Sequence, residues 1–259
     1  MNRTIVWGHR GAGFRHPVEN SMSSFRKAVE MGVDGLKTEA QLSKEGEVIL
    51  SFNNQLTING TSVKMSELTV EQIKKVRYEN NEQILTIREF FDEFGKSDLK
   101  FNFDVRETPV GVKIIEVGEE LNLIDRIEIA KPASIFTPLD DFFRPLREKN
   151  EKVNFVNSLF GGYKKNNISE KNLEFDVMDE LNIEVFNLQH YKSSFDLFKL
   201  IKDSGYKCYL WGVLFKHFMK KYLNMYYDEG RIDGIFTNYP DTLLKLREEI
   251  QIPIMKQST

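Results

Sequence analysis

Residues 4–56, TIVWGHRGAGFRHPVENSMSSFRKAVEMGVDGLKTEAQLSKEGEVILSFNNQL, predict a strand, a helix and a second strand in succession. The apolar run Thr4–Trp7 gives way to the glycine-rich segment 8–13, which is typical of a buried strand that opens into a loop. That loop begins with His9 and Arg10. Two potential cations at the end of a strand favour an anion-binding site, although an isolated pair is more often a core histidine beside a surface arginine.

The segment after this loop predicts an amphipathic helix and then a polar strand. Residues 19–21, Glu-Asn-Ser, offer N-cap groups, apolar positions recur on one face between residues 22 and 31, and Gly32 ends the helix. In the strand that follows, Lys37 and Glu39 are two residues apart and therefore lie on the same face. We expect an ammonium and a carboxylate to point in the same direction there.

From residue 100 onward, apolar strands alternate with amphipathic helices. The predicted strands are 100–106, 126–130, 153–160, 183–189, 207–214 and 234–237, and the predicted helices are 109–121, 140–147, 173–181, 195–202, 217–227 and 243–250. Earlier in the chain, Asn59-Gly60 is a hairpin signal, and residues 66–76 and 86–94 predict helices. Together with the N-terminal units this pattern indicates a parallel α/β fold, either a TIM barrel or a doubly wound sheet.

Composition and charge restrict the class of protein. The chain has 259 residues, of which 41% are apolar and 29% charged, so disordered and fibrous classes are excluded. The length suits one barrel or two small cores. The net charge is −3, from 36 Lys and Arg against 39 Asp and Glu. It supplies no field that would hold nucleic acid or an acidic membrane surface, so any anion binding must be local.

The cysteine count and the first residues bear on the cellular compartment. Cys208 is the only cysteine and lies in an apolar run, which favours a small buried hydrophobic residue over a nucleophile. Residues 1–3 lead into the first strand without a signal-peptide core, and no apolar run is long enough to span a bilayer. We expect a cytoplasmic protein without a transmembrane segment.

Several motifs follow the loop in a recognisable order. They are His9-Arg10-Gly11, the helix start at 17–21, Gly-Val-Asp-Gly at 32–35, ILTIREFF at 84–91, FNFDVR at 101–106, Leu210-Trp211 and DGIFTNYP at 233–240. This order resembles the glycerophosphodiester phosphodiesterase family over nearly the whole chain. The resemblance implies a TIM barrel formed by a single domain, residues 1–259, with a small insertion at about 53–84 after the second strand. It also implies phosphodiester hydrolysis with Ca²⁺ or Mg²⁺.

The functional positions of the family are largely changed in this chain. The resemblance implies Glu-x-Asp metal ligands where Lys37 and Glu39 stand, and a second catalytic histidine where Phe52 stands. On the third strand Asp104 and Arg106 replace Glu and Lys. Two later departures are Leu214 and Asn238, which replace Asn and Asp.

These changes argue against a metal. A hard divalent cation needs several oxygen ligands, and an ammonium beside it is repelled. We therefore expect no cofactor, with Glu39 and Asp104 as vestigial ligand positions. Lys37 is expected either to bridge these two carboxylates or to contact a phosphate together with Arg10 and Arg106. Bacterial phosphatidylinositol phospholipases C, which resemble this barrel, use a basic side chain where relatives hold calcium.

The carboxyl ends of the strands then give the candidate site. They carry His9, Arg10, Lys37, Glu39, Asp104, Arg106, Glu128, Lys131, His190 and Trp211. We expect His9 and Arg10 to be catalytic, and Lys37, Arg106 and Trp211 to bind the substrate. His190 is not expected to replace the histidine missing at Phe52, because its strand lies across the barrel.

Three hypotheses remain open. The favoured one is a glycerophosphodiesterase-like protein with a cationic pocket for a phosphate-bearing, glycerophosphodiester-type small molecule and impaired metal-dependent hydrolysis. The second is an active phosphodiester hydrolase with Lys37 in the role of the metal. The third is a non-catalytic scaffold whose charged side chains form salt bridges at the barrel mouth. The sequence leaves the oligomeric state undetermined.

Overall fold

The computed structural model describes residues 3–160, 168–228 and 230–257, with side chains up to residue 251. Its strands are β1 Ile5–His9, β2 Gly35–Leu42, β3 Val48–Leu50, β4 Gln55–Ile58, β5 Thr61–Lys64, β6 Lys100–Val105, β7 Ile127–Lys131, β8 Asn154–Leu159, β9 Val185–Gln189, β10 Lys207–Trp211, β11 Tyr226–Tyr227, β12 Gly230–Arg231 and β13 Gly234–Thr237. Its helices are α1 Met22–Met31, α2 Val70–Lys75, α3 Ile87–Phe94, α4 Thr108–Glu120, α5 Leu139–Lys149, α6 Phe175–Glu180, α7 Phe195–Asp203, α8 Lys216–Leu223 and α9 Pro240–Gln257.

Eight parallel strands close into a barrel with helices between them. The order around the barrel is β1-β2-β6-β7-β8-β9-β10-β13, and β13 pairs with β1 from Ile5↔Gly234 to Gly8↔Thr237. The TIM barrel predicted from the sequence is therefore confirmed, and the doubly wound sheet is excluded. Because the strands are parallel, their carboxyl ends and the βα connections share one end of the barrel, which we call the mouth.

Helix α9 is hydrogen-bonded to the residues that precede β1 and β2. Buried Arg247 donates from Nη1 to the carbonyl of Thr4, 2.8 Å away, and also bonds to the carboxylate of Asp34. Gln251 and Thr4 exchange two hydrogen bonds, Thr4 N–H to Oε1 and Nε2 to Oγ1. The first strand, the start of the second and the last helix thus meet at one polar cluster.

The helix and strand boundaries differ from the predictions where backbone geometry intervenes. The strand predicted at 207–214 ends at Trp211, because Gly212 adopts a φ of 77° and leaves the extended conformation. The helix predicted at 217–227 ends at Leu223, and the hairpin of β11 and β12 follows it. The apolar face of α8, which includes Met219, Tyr222 and Leu223, is buried against the rest of the protein, as expected of a structural helix rather than a membrane-surface helix.

The interior of the barrel below the mouth is filled by aromatic side chains. Trp7 stacks on Phe236 with ring centroids 5.4 Å apart, and Tyr209 packs against both rings. Glu128 lies at this level and not at the mouth where the sequence placed it, because it is the second residue of β7. Its carboxylate accepts hydrogen bonds from Tyr209 Oη and Asn102 Nδ2.

The segment after β3 forms a small unit of its own. Strands β4 and β5 pair as a hairpin, and its turn residues Asn59 and Gly60 have φ values of 51° and 79°, as their sequence predicts. Behind the hairpin, buried Ile49, Met65 and Ile73 belong to a separate apolar cluster.

Among the described residues, no helix has the length and apolar character needed to cross a membrane.

Candidate functional site

A cavity of about 360 Å³ opens at the barrel mouth. The side chains that the sequence singled out on the first, second, third and seventh barrel strands all line it. They are His9, Arg10, Lys37, Glu39, Asp104, Arg106 and Trp211, with Phe52 from the end of β3. The structure therefore brings together residues that lie up to about two hundred positions apart in the chain.

The loop after β1 places Arg10 over this cavity. Arg10 has a φ of 56°, which is unusual for a residue with a side chain, and its N–H donates to the carbonyl of Lys37 at 2.7 Å. Gly11 follows with a φ of 89°, and a Cβ there would lie 2.4 Å from Ser24 Oγ. The chain can turn this tightly against α1 only because residue 11 is glycine.

Lys37 lies between the two remaining carboxylates. Its Nζ is 2.8 Å from Glu39 Oε1 and 2.5 Å from Asp104 Oδ2. Glu39 and Asp104 are partners in the register of β2 and β6, so neighbouring strands hold them side by side. Burial opposes the charge on Lys37, but attraction to Asp104 and Glu39 outweighs burial and raises the pKa of the ammonium. Of the two arrangements predicted for Lys37, the structure shows the bridge.

Both oxygens of Glu39 have hydrogen-bond partners. Besides Lys37, its carboxylate accepts from Arg10 Nε at 3.0 Å and from Asn20 Nδ2 at 3.2 Å. Burial would raise the pKa of Glu39, but Lys37 and the other neighbours outweigh it and lower that pKa well below its usual range. For Asp104 burial dominates, so its pKa is raised despite Lys37.

His9 is held in one neutral tautomer. Asn238 Nδ2 donates to Glu19 Oε1 at 3.2 Å, which fixes the orientation of the amide, and Asn238 Oδ1 lies 3.0 Å from His9 Nδ1. Since that oxygen can only accept, Nδ1 carries the proton and Nε2, 3.9 Å from Glu39 Oε1, is the free acceptor. Burial and the positive charge of Lys37 lower the pKa of His9 to about 3.

Phe52 separates two guanidinium groups at the rim of the cavity. Its ring centroid is 4.1 Å from Cζ of Arg10 and 5.5 Å from Cζ of Arg106. Arg10 is also paired with Glu19 at 2.8 Å, whereas no carboxylate among the described residues lies within 4 Å of Arg106. Where the resemblance implies a histidine, this chain thus has an aromatic ring in cation–π contact with two arginines.

Three other residues predicted at strand ends have different surroundings. Trp211 lines the cavity and donates from Nε1 to the carbonyl of Leu159 at 3.3 Å. Lys131 is buried and donates to the carbonyl of Ile135 instead of lining the cavity. His190 lies outside the lining, with Nδ1 3.3 Å from Tyr222 Oη, so it does not join His9.

Sequence reasoning missed the roles of Glu19 and Asn20, which it treated as capping residues. The cap of α1 is Ser21 alone, whose Oγ accepts from the N–H of Ser24. Asn20 adopts a φ of 56° and its amide joins Glu39 to the hydroxyl of Thr38. The sequence did carry a signal for these roles. A helix needs only one N-cap residue, so two of the three polar residues at 19–21 had no capping function.

The site does not fit the divalent cation that the resemblance implies. The ammonium of Lys37 lies between the two carboxylates that would have to bind the ion, and Arg10 and Asn20 bond to Glu39 as well. Among the described residues, no group of three or more His, Cys, Asp or Glu side chains is arranged to hold a metal.

Comparison with known proteins agrees with the resemblance. The model of the glycerophosphoryl diester phosphodiesterase family matches residues 9–242. The chain is 24% identical to a glycerophosphodiester phosphodiesterase of Caldanaerobacter subterraneus subsp. tengcongensis, over 94% of this chain and 98% of the relative. It is similar in structure to a glycerophosphodiester phosphodiesterase from Thermotoga maritima (TM-score 0.73, 20% identity, 95% and 99% coverage). It is also similar to an Oleispira antarctica phosphodiesterase solved with the product sn-glycerol-3-phosphate (TM-score 0.76, 15% identity, 94% and 96% coverage).

Proposed function

Because this chain belongs to the glycerophosphoryl diester phosphodiesterase family, we propose that its mouth binds a phosphate-bearing ligand of glycerophosphodiester type through fixed cations, with impaired metal-dependent hydrolysis. The observation that carries the proposal is the position of Lys37 between Glu39 and Asp104. The ammonium is paired with both carboxylates where the resemblance implies a metal.

The groups left for a phosphate are the two arginines beside Phe52. Arg10 lines the cavity with Nε and Nη1 already bonded to Glu39 and Glu19, so only its remaining N–H donors are available. Arg106 lines the cavity without a carboxylate partner among the described residues. Guanidinium groups bind phosphate oxygens with two parallel hydrogen bonds, which makes them suitable for this task. The glycerol phosphate bound to the similar Oleispira antarctica phosphodiesterase supports a ligand of this chemical class.

The acid–base groups are too few for efficient hydrolysis. Neutral His9 can accept a proton at Nε2, but an imidazole with a pKa of about 3 is a weak base at neutral pH. Phe52 can neither donate nor accept a proton. A positioned acid or base contributes ~10²–10⁴-fold to such reactions, so we expect turnover lower by at least that factor than in a relative with both histidines.

One observation favours the second hypothesis, that of an active phosphodiester hydrolase with Lys37 in the role of the metal. Charged Lys37 and the free Nε2 of His9 line the same cavity, so a phosphodiester could contact both. In that hypothesis Lys37 stabilises charge on the phosphate oxygens and His9 accepts the proton of the attacking group.

The catalytic part is tested by hydrolysis of glycerophosphocholine and of a chromogenic phosphodiester with Ca²⁺, with Mg²⁺ and with EDTA. We expect little turnover and no response to EDTA. Fast turnover that EDTA abolishes would overturn the proposal. Turnover that EDTA leaves intact and His9→Ala removes would instead favour the second hypothesis.

The binding part is tested by thermal unfolding in inorganic phosphate. A ligand that binds only the folded state raises the melting temperature, and Arg106→Ala should remove that rise. Arg15→Ala is the matched control, because Arg15 is paired with Asp241 outside the cavity. An unchanged melting temperature in the folded wild type would favour the scaffold hypothesis.

A separate prediction concerns the metal. Ca²⁺ should raise the melting temperature of Lys37→Glu but not that of the wild type.

A further inference from the structure

The large apolar side chains that are exposed share one location. Among the described residues they are Phe14, Phe52, Phe136, Tyr191, Phe195 and Phe215, which we call the aromatic rim. Five of them lie between a barrel strand and the next helix, or at the first residue of that helix, and Phe52 lies between β3 and β4 and lines the cavity. In a (β/α)₈ barrel these connections lie at the mouth, so the opposite end carries none of them in the described part of the chain.

This distribution is not that of an ordinary surface. Single exposed apolar residues are common on soluble proteins, whereas their concentration on one face marks a contact surface. Phe136 is 94% exposed and Phe215 62%, so neither is covered by its own chain. Phe136 follows a segment that the Lys131 ammonium fastens by a hydrogen bond to the carbonyl of Ile135.

The aromatic rim is continuous with the wall of the cavity. Phe52 is itself part of the lining, Phe136 comes two residues after Ser134 of the lining, and Phe215 directly follows Leu214 of the lining. The N–H of Phe14 donates to the carbonyl of Asn238, which also lines the cavity, at 2.9 Å. An apolar rim therefore frames the opening through which a ligand must enter.

The cavity wall divides into a cationic part and an apolar part. The guanidinium groups of Arg10 and Arg106 flank Phe52 on one side. Besides Phe52, the apolar residues of the lining are Pro132, Ala133, Trp211, Leu214 and Phe236, and polar side chains make up most of the rest of it. A ligand that satisfies both parts carries a phosphate and an apolar group.

We propose that the aromatic rim docks on a phospholipid surface, and that the ligand is a phosphodiester carrying a hydrocarbon chain taken from that surface. The ligand part rests on the proposed function, since it takes phosphate binding in the cavity as given. The net charge of −3 means that general attraction to anionic lipid does not drive docking. Apolar contact and headgroup recognition drive it, so a zwitterionic surface suffices.

Docking is tested by co-sedimentation with phosphatidylcholine vesicles in 0.15 M and 0.5 M NaCl, concentrations across which salt screening increases strongly. The wild type should sediment equally well in both, because apolar contacts are not screened. F136S/F215S should reduce partitioning at least about tenfold through the loss of buried apolar area. F136W/F215Y is the matched control and should retain binding, and unchanged melting temperatures verify the fold of both variants.

Several outcomes would overturn docking. They are no sedimentation of the wild type, equal sedimentation of F136S/F215S, or loss of binding in 0.5 M NaCl. A dimer in the ultracentrifuge that F136S/F215S dissociates would show that the aromatic rim binds a second copy of the chain instead. If phosphate still raises the melting temperature in any of these cases, the proposed function stands while the docking proposal falls.

The ligand part is tested by the binding of a short-chain lysophosphatidylcholine, kept below its micelle concentration, against glycerophosphocholine. Each buried methylene strengthens binding about fourfold, so the lipid should bind at least about tenfold tighter to the wild type. Equal affinity would overturn the hydrocarbon-chain assignment. Binding of neither compound, together with no effect of phosphate, would reject the proposed function and leave the vesicle result to decide docking alone.

Discussion

At the scale of single residues, the environment of His9 sets its charge. Burial and the cations Lys37 and Arg10 disfavour an imidazolium, and together they outweigh Glu39 and the hydrogen bond to Asn238, which favour it. N238D should therefore raise the pKa of His9, because a carboxylate would replace the amide oxygen at Nδ1. The measurement is an NMR titration of the imidazole carbons, in which wild-type His9 should show no transition between pH 5 and 8.

The same residue has a consequence for stability. The folded pKa of about 3 lies below the ordinary value of 6.5, so the unfolded chain binds the proton more tightly. His9 thus lowers the free energy of unfolding progressively as the pH falls from 6.5 toward 3, and has no such effect above 6.5. In N238D this loss should be smaller, and an equal acid sensitivity of the two proteins would contradict the assignment.

A second residue prediction concerns Lys37. K37M leaves Glu39 and Asp104 facing each other without their buried partner, which should cost ~3–5 kcal/mol of unfolding free energy at neutral pH. Urea denaturation measures this loss. The neutral triple variant K37M/E39Q/D104N should recover most of it, since no charge is then left unpaired. If K37M alone were as stable as the wild type, the three groups would not form the coupled cluster described above.

At the scale of elements, the β1–α1 loop depends on its glycine. Gly11 and Gly32 both have a φ of 89°, but a Cβ meets Ser24 atoms within 3 Å at Gly11 and nothing within 4 Å at Gly32. G32A should cost only the left-handed backbone penalty, ~1–2 kcal/mol. G11A adds overpacking and should cost at least ~3 kcal/mol in the same urea experiment. Equal costs would mean that the loop moves away from α1 freely.

The sequence predicted the elements better than it predicted their polar contacts. An N-cap within residues 19–21, the end of α1 at Gly32 and the shared face of Lys37 and Glu39 follow from local rules, and the structure contains all three. The position of Glu128 depends on where along β7 the barrel interior begins, which is a tertiary property. The tasks of Asn20 likewise depend on a strand eighteen residues away. Local sequence patterns carry no information on the depth of Glu128 in the barrel or on the contact between Asn20 and the second strand.

At the scale of the whole molecule, one buried arginine joins the two ends of the described chain. Arg247 bonds to Asp34 and to the carbonyl of Thr4. Asp34 keeps Arg3 and the N–H of Val6 as partners in R247M, so the variant should cost ~1.5–3 kcal/mol, the value of a hydrogen bond to a charged group. R15M removes the exposed pair with Asp241 and should cost ~0–1 kcal/mol. Comparable losses in the two variants would show that α9 does not fasten the barrel.

The pairing of β1 with β13 also has a consequence during synthesis on the ribosome. His9 is made early, but the amide that orients it belongs to Asn238, and β1 lacks one of its two neighbours until β13 is available. Contacts of such large sequence separation form late in folding. A nascent chain that still lacks β13 therefore exposes an open strand edge and has no complete cavity at the mouth. The pocket comes into existence only when almost the entire barrel has left the exit tunnel.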